Sequence, residues 1–258
     1  MTDIYIIGIG QRFPQHLTLE ALEALTDCRT IYTLLGDAEV ASLPDDIGVK
    51  CRSVRKLYQP NRRRSDNYTE VARTVLNAAR SGRPVGWLTW GNPRVLDSVS
   101  HTLAKTGAET GLVVVTLPAV SSIDTVLIDV SYDPADGVQI IEGTTAVTRQ
   151  TRIVPEIAVL IFQPGVFGTM YPRMTADSPR VQLGPLRDYL LRYYLADHEL
   201  AFVCSSEDRN VPARITWTAI EKLNTVASDV LRSSTIFIPP AAKSQIDRSF
   251  IALVESAD

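Results

Sequence analysis

Between Tyr58 and Tyr68 the chain reads Tyr-Gln-Pro-Asn-Arg-Arg-Arg-Ser-Asp-Asn-Tyr. Arg64 and Tyr68 stand four residues apart at the start of a helical pattern, a spacing that puts them on one helix face. A guanidinium beside a phenol stabilises the phenolate and lowers the tyrosine from its ordinary value of about 10. That pair is the candidate for taking a proton or polarising a bound group. The run Arg62-Arg63-Arg64 also has a plainer reading as a solvated loop or an anion patch.

Three Gly, Pro or Ser turns follow apolar runs and could approach a ligand. Trp90-Gly91-Asn92-Pro93-Arg94-Val95 comes directly after the run Val85 to Thr89, and open α/β sheets bind ligands beyond the carboxyl ends of their strands. Pro93 suits the first turn of a following helix. Leu117-Pro118-Ala119-Val120-Ser121-Ser122 follows Val113 to Thr116. Either serine there can cap the next helix and also hydrogen-bond a ligand. Gly8-Ile9-Gly10 lacks the third glycine of a dinucleotide turn, because Phe13 stands in its place. A nicotinamide-dependent enzyme is therefore disfavoured. His16, His101 and His198 are scattered without a serine or cysteine nucleophile, so nothing supports a hydrolase triad. Cys28, Cys51 and Cys204 form no CxxC pair. They read as neither a disulfide framework nor a metal site, and they suit a reducing compartment.

The elements that must carry these residues alternate. Apolar runs of strand length at 4–7, 30–34, 50–54, 84–90 and 111–116 are separated by helical patterns at 66–80, 94–106 and 121–131. A further helix begins after Thr18 as N-cap. Continuous apolar strands between helices predict an α/β domain with a mainly parallel sheet. After Asp133-Pro134 the texture changes. Strand candidates at 138–141, 157–163, 200–204 and 235–238 and a helix from about Gly184 to Tyr194 predict a second α/β domain. The expected domains are 1–134 and 135–258, with a long surface loop from Gln163 to Pro185. At 258 residues, with 26 Lys and Arg against 29 Asp and Glu, the chain has no surplus of cations for a general nucleic-acid binder. No signal peptide and no stretch of roughly 20 apolar residues stands out. A cytoplasmic protein with no membrane partner is the expectation.

Taken in order, these segments resemble the tetrapyrrole methylases. The resemblance rests on Gly8-Ile9-Gly10 with Leu17-Thr18-Leu19-Glu20-Ala21-Leu22, on Gly91-Asn92-Pro93, and on Pro118-x-x-Ser121-Ser122 with Asp129 and Asp133-Pro134. Within that class the chain most resembles the borosin peptide backbone N-methyltransferases. Leu57-Tyr58-Gln59 with Arg64 and Asn67-Tyr68-Thr69 carries this, together with Phe162-Gln163-x-Gly165-x-x-Gly168 and Ser234-Thr235-Ile236-Phe237-Ile238-Pro239-Pro240. Trp90 stands where the family has tyrosine, and Ala119 where it has glycine.

The resemblance implies two α/β domains with S-adenosylmethionine in the cleft between them, S-adenosylhomocysteine as product and no metal. It implies Tyr68, Arg64 and Tyr58 as catalytic residues. Cofactor contacts would come from Trp90, Asn92, Val95, Ser122, Gln163, Ser205, Ser234 and Thr235. The fungal enzymes carry their substrate as a C-terminal tail, whereas this chain ends at Asp258. The expectation is accordingly a separate precursor peptide, as in the split bacterial borosins, and the resemblance also implies a homodimer. A tetrapyrrole or other small-molecule methyltransferase is the alternative, since the three arginines could bind the carboxylates of an acidic macrocycle. A non-catalytic binding partner that keeps the fold is the alternative from another class.

Overall fold

The computed structural model describes residues 1–36, 40, 51–172, 181–243 and 246–256. It separates into two compact units. The first holds Met1–Ser131 with Gly168–Arg180 and Cys204–Arg214, and the second holds Tyr132–Phe167, Val181–Val203 and Ile215–Asp258.

The first unit is built on a sheet of five strands: β1 (Ile4–Gly8), β2 (Thr30–Thr33), β3 (Cys51–Ser53), β4 (Val85–Thr89) and β5 (Val114–Thr116), in the order β3-β2-β4-β1-β5. Every pair of neighbours is parallel. Successive residues of β1 feed two cores: Ile4 and Ile6 pack with one cluster and Ile7 with the other. A strand buried on both faces needs apolar side chains at every position, which is why these strands read as continuous runs. Position 50 of the expected third strand lies outside the described residues.

Helices cover both faces. α1 (Leu19–Asp27) starts where Thr18 accepts from the Ala21 amide, and α2 (Arg64–Ser81) buries Asn67, Val71, Ala72, Val75, Leu76 and Ala79. α3 (Ser98–Glu109) begins four residues later than the sequence pattern suggests. Asp97 Oδ1 accepts from the Val99 and Ser100 amides at 2.9 and 3.1 Å, so the cap sits there and Pro93 lies in a loop rather than in a first helical turn. α4 (Ser122–Asp129) follows β5, with Ser121 and Asp124 forming a capping box.

The second unit has a mixed sheet of β6 (Val138–Glu142), β7 (Ala158–Phe162), β8 (Glu199–Cys204), β9 (Arg214–Ala219) and β10 (Thr235–Ile238), ordered β6-β7-β10-β8-β9. β6 and β7 are parallel, and β10 runs antiparallel to β7 and β8. Four of these match the predicted strands. β9 is at the sheet edge and has no fully buried residue, so it lacks the apolar run that marks a central strand. α5 (Gly143–Thr148), α6 (Gly184–Leu190), α7 (Ser228–Leu231) and α8 (Arg248–Glu255) complete the unit. α6 stops at Leu190, and 191–194 continue as turns rather than as helix. Of the expected long loop, residues 164–166 form a short 3-10 turn, and 173–180 lie outside the described residues.

Among the described residues no helix is long and apolar enough to cross a membrane. All three cysteines are free thiols. Cys28 is buried, its Sγ donates to the Ala24 carbonyl at 3.1 Å, and burial pushes the thiol up to about 12. Cys51 is pushed up to about 11 by the same cause. Since the thiolate is the nucleophile, iodoacetamide at about pH 8 should modify half-exposed Cys204 first and leave Cys28 unlabelled until the chain is denatured. Peptide mass mapping reads this, and Cys28 labelling at its denatured rate would contradict the packing.

Candidate active site

The strands of the parallel sheet all run the same way, so the loops that follow them gather along one edge. Three of these loops are bound to one another. Gly10 and Gly91 pair across the turns after β1 and β4, with amide-to-carbonyl distances of 3.3 and 3.0 Å. Both adopt positive φ, 72° and 67°, a conformation that glycine takes without strain. Asn92 ties the β4 turn to the β5 turn: its Nδ2 donates to the Ala119 carbonyl at 2.7 Å and its Oδ1 accepts from the Arg94 amide at 2.9 Å. Val95 closes that turn by donating its amide to the Asn92 carbonyl. In the β5 turn it is Ser121 that caps the helix, so its hydroxyl is committed and half-buried Ser122 is the serine left facing outward.

At the same edge, beyond the ends of β2, β3 and β4, is an open pocket of about 440 Å³ lined by Leu34, Leu35, Gly36, Arg55, Tyr58, Tyr68 and Trp90. Tyr58 and Tyr68 meet in it. The Tyr58 hydroxyl donates to the Tyr68 Oη at 3.2 Å, and the rings are 5.6 Å apart at a tilt of 36°. Burial, with the Tyr68 hydrogen bond adding to it, pushes the Tyr58 phenol well above its ordinary value. The positive charge of Arg64 opposes this shift in part. Tyr58 therefore stays a protonated donor throughout the physiological range.

Arg64 opens α2, one turn before Tyr68, and its guanidinium donates to the Thr169 carbonyl at 3.0 Å. The Arg64 amide also donates to Met170 O. Among the described residues one of its five N–H donors is thus engaged, and it anchors the side chain. Trp90, 37% exposed, supplies the pocket wall from the β4 turn.

Of the remaining sequence-derived candidates, Ser205 donates to Asp129 Oδ2 at 2.5 Å within the first unit. In the second unit Gln163 directly follows β7 in a left-handed conformation (φ 61°, ψ 39°). Such a backbone costs energy for a residue with a side chain and clusters at functional turns. Ser234 and Thr235 are buried at the start of β10, and the Ser234 hydroxyl donates to the Val230 carbonyl.

Residues 3–202 match the family described as tetrapyrrole (corrin/porphyrin) methylases. The chain belongs to that family. Among curated relatives, the methyltransferase/ribosomally synthesized type I borosin cyclic peptide precursor of Cerrena unicolor is 26% identical over 97% of this chain and 61% of its own length. The type II borosin precursor of Phlebiopsis gigantea is 25% identical over 91% of this chain and 42% of its own. The chain thus spans from about two fifths to three fifths of these two relatives. Among solved structures, the uroporphyrin-III C-methyltransferase of Thermus thermophilus, complexed with S-adenosylhomocysteine, superposes with a TM-score of 0.60. It shares 17% identity, and the match covers 92% of this chain and 91% of that one. At that identity the likeness carries the two-domain methylase fold.

In this methylase one further residue supports the tyrosine pair. Asn67 is fully buried. Its Oδ1 accepts from the Gln59 amide at 3.0 Å, and its Nδ2 donates to the Gln59 and Arg62 carbonyls at 2.8 and 3.3 Å. It clasps the 59–62 loop to α2 and so sets Tyr58 against Tyr68. The sequence signal was there, a polar residue on the apolar stripe of a helix, but only the fold reveals its partners. Asn67→Ala removes three hydrogen bonds and should destabilise the first unit by about 3 kcal/mol. Urea unfolding followed by tryptophan fluorescence reads this, and a change under about 1 kcal/mol would mean that the clasp is not what holds the loop.

Proposed function

We propose that this chain is an S-adenosylmethionine-dependent methyltransferase that N-methylates backbone amides of a peptide supplied as a separate chain. The contact that carries the reading is the Tyr58 to Tyr68 hydroxyl pair, in an open pocket of about 440 Å³ at the carboxyl edge of the parallel sheet. The names of the borosin relatives, each a methyltransferase and a cyclic peptide precursor, support the peptide as substrate.

The residues present fit the cofactor chemically. The electron-rich faces of Tyr58, Tyr68 and Trp90 suit a sulfonium, and the glycine turns let backbone come close to a ligand. Within the first unit Trp90, Asn92, Val95 and Ser122 would hold it. When bound, S-adenosylmethionine supplies an electrophilic methyl group.

The rest falls to the chain. Replacing an amide N–H by N–CH3 releases one proton, and the nitrogen lone pair is otherwise spread into the carbonyl. Tyr68 Oη takes the proton or polarises the amide. The Tyr58 hydroxyl, kept protonated by burial, donates to the Tyr68 oxygen and steadies the phenolate form that accepts the amide proton. Arg64 faces the charge that builds on the carbonyl oxygen, as an oxyanion donor does. Holding the amide at near-attack distance contributes about 7–11 kcal/mol in well-oriented cases.

The test is mass spectrometry of the purified chain incubated with S-adenosylmethionine and short peptides encoded beside its gene. Whole-methyl mass increments with fragment ions on backbone nitrogen are the expected result. Cofactor binding by calorimetry with no peptide methylation would move the substrate to a tetrapyrrole or other small molecule, and no cofactor binding would leave a non-catalytic partner. A homodimer belongs to the same reading, and light scattering at assay concentration should give twice 28.4 kDa. A monomer there would remove it. Three free thiols support a reducing, cytoplasmic setting.

A further inference from the structure

The stretch from Arg52 to Arg64 contains Arg52, Arg55, Lys56, Arg62, Arg63 and Arg64 and not one carboxylate, in a chain whose net charge is −3. Such a block is not a consequence of overall composition. All but Arg64 are exposed. Among the described residues none of the six takes part in an ion pair. The next carboxylates along the helix are engaged elsewhere: Asp66 accepts from the Ser65 hydroxyl and Glu70 pairs with Arg73.

The fold places this charge at the pocket. Arg55 is one of the pocket-lining residues. The loop that carries Arg62 is clasped to α2 by Asn67, which also holds the Gln59 backbone next to Tyr58. Arg63 follows as the N-cap residue of α2. Arg55 at the pocket wall, with Arg62 and Arg63 in the loop and N-cap that lead into the helix carrying Tyr68, therefore make a cationic rim that adjoins the tyrosine pair. Several like charges held together attract a polyanion and steer it inward.

We propose that this rim selects peptides bearing aspartate or glutamate, binding their carboxylates beside the pocket that holds the peptide backbone. As a statement about substrate choice it rests on the peptide-methylation reading. As a statement about binding it can be tested without it. A peptide is favoured over nucleic acid because the cations adjoin a pocket walled by Tyr58, Tyr68 and Trp90 on a protein of net negative charge.

The probe is a fluorescein-labelled peptide of alternating glutamate and valine, compared by anisotropy with its glutamine–valine counterpart. The full chain should bind the glutamate peptide about tenfold more tightly at about 50 mM salt, and the preference should shrink toward unity at about 500 mM. The double variant Arg62→Glu/Arg63→Glu alters two exposed side chains and should keep the parent's thermal melt while losing the preference. Equal affinity for the two peptides, or a preference that survives in the folded double variant, overturns the proposal. So does displacement of the glutamate peptide by uroporphyrin or by a single-stranded oligonucleotide at a far lower concentration than by unlabelled peptide. Methyl transfer to the same peptides is read separately. A rim-dependent preference without methylation would remove the methylation reading and leave the rim. Methylation of both peptides with equal affinity would remove the rim alone.

Discussion

Tyr68→Phe should lower the rate of methyl transfer by about 10²–10⁴, the range for loss of a positioned proton-transfer group. The substitution keeps the ring and its packing against Tyr58 at 5.6 Å and deletes only the oxygen that the Tyr58 hydroxyl reaches. Because the pocket is open, water can replace that acceptor, so stability should change by less than about 1 kcal/mol. Cofactor affinity should stay within about twofold, which separates a lost chemical step from lost binding. Tyr58→Phe removes a donor one step away and should cost less, about tenfold. Single-turnover methylation of a peptide that the parent chain methylates gives the numbers. A Tyr68→Phe enzyme within about threefold of the parent would end the assignment of Tyr68 and leave its role as packing at a helix start.

The largest structural effect is expected at Gly8→Ala. An added Cβ would lie 2.2 Å from the Gly91 carbonyl oxygen, 2.7 Å from the Ala119 Cβ and 2.8 Å from the Pro93 Cδ. All three belong to the turns that Asn92 and the Gly10–Gly91 pairing tie together. A methyl group that meets backbone on one side and two packed side chains on the others has nowhere to go, and the cost should reach about 4 kcal/mol. That is a large share of the 5–15 kcal/mol that ordinarily holds a domain. Either the protein fails to accumulate, or it folds with the three turns pushed apart and binds S-adenosylmethionine at least about tenfold more weakly. Gly82→Ala is the matched control. Its Cβ meets only the Arg29 guanidinium at 3.7 Å, and its φ of −175° is ordinary extended backbone, so its effect should stay within about 1 kcal/mol. Equal stabilities for the two variants would mean that the turns are not packed as described.

The parts of the fold that could be read in advance are those where burial acts on every residue. β1 and β4 are mostly apolar and buried because helices cover both faces of their sheet, and Thr18 announces α1 through its capping oxygen. The parts that could not are edges and ends. β9 has no fully buried residue. The start of α3 is decided by Asp97, and Pro93 marked it too early, because proline is as comfortable in the loop that precedes a helix as in its first turn. Arg64 to Tyr68 could be read as a face of one helix from spacing alone. The Tyr58 to Tyr68 contact spans a loop, and its geometry depends on Asn67, which no periodicity identifies as a clasp.

The sequence by itself determined the class of this protein. Its strand runs and turns predict α/β domains, because hydrophobic periodicity and turn chemistry are local properties of neighbouring residues. Its motifs in their order resemble those of the tetrapyrrole methylases, the family that matches residues 3–202. Only the tertiary structure decided which turns meet: Gly10 with Gly91, Asn92 with Ala119, and Tyr58 with Tyr68, the last in a pocket with Arg55 and Trp90 at its wall. Those meetings are set by strand order and parallel register, which bring the carboxyl ends of strands far apart in the chain to one edge of a sheet. A chemical site is a matter of distances between such ends, and spacing along the chain cannot encode them.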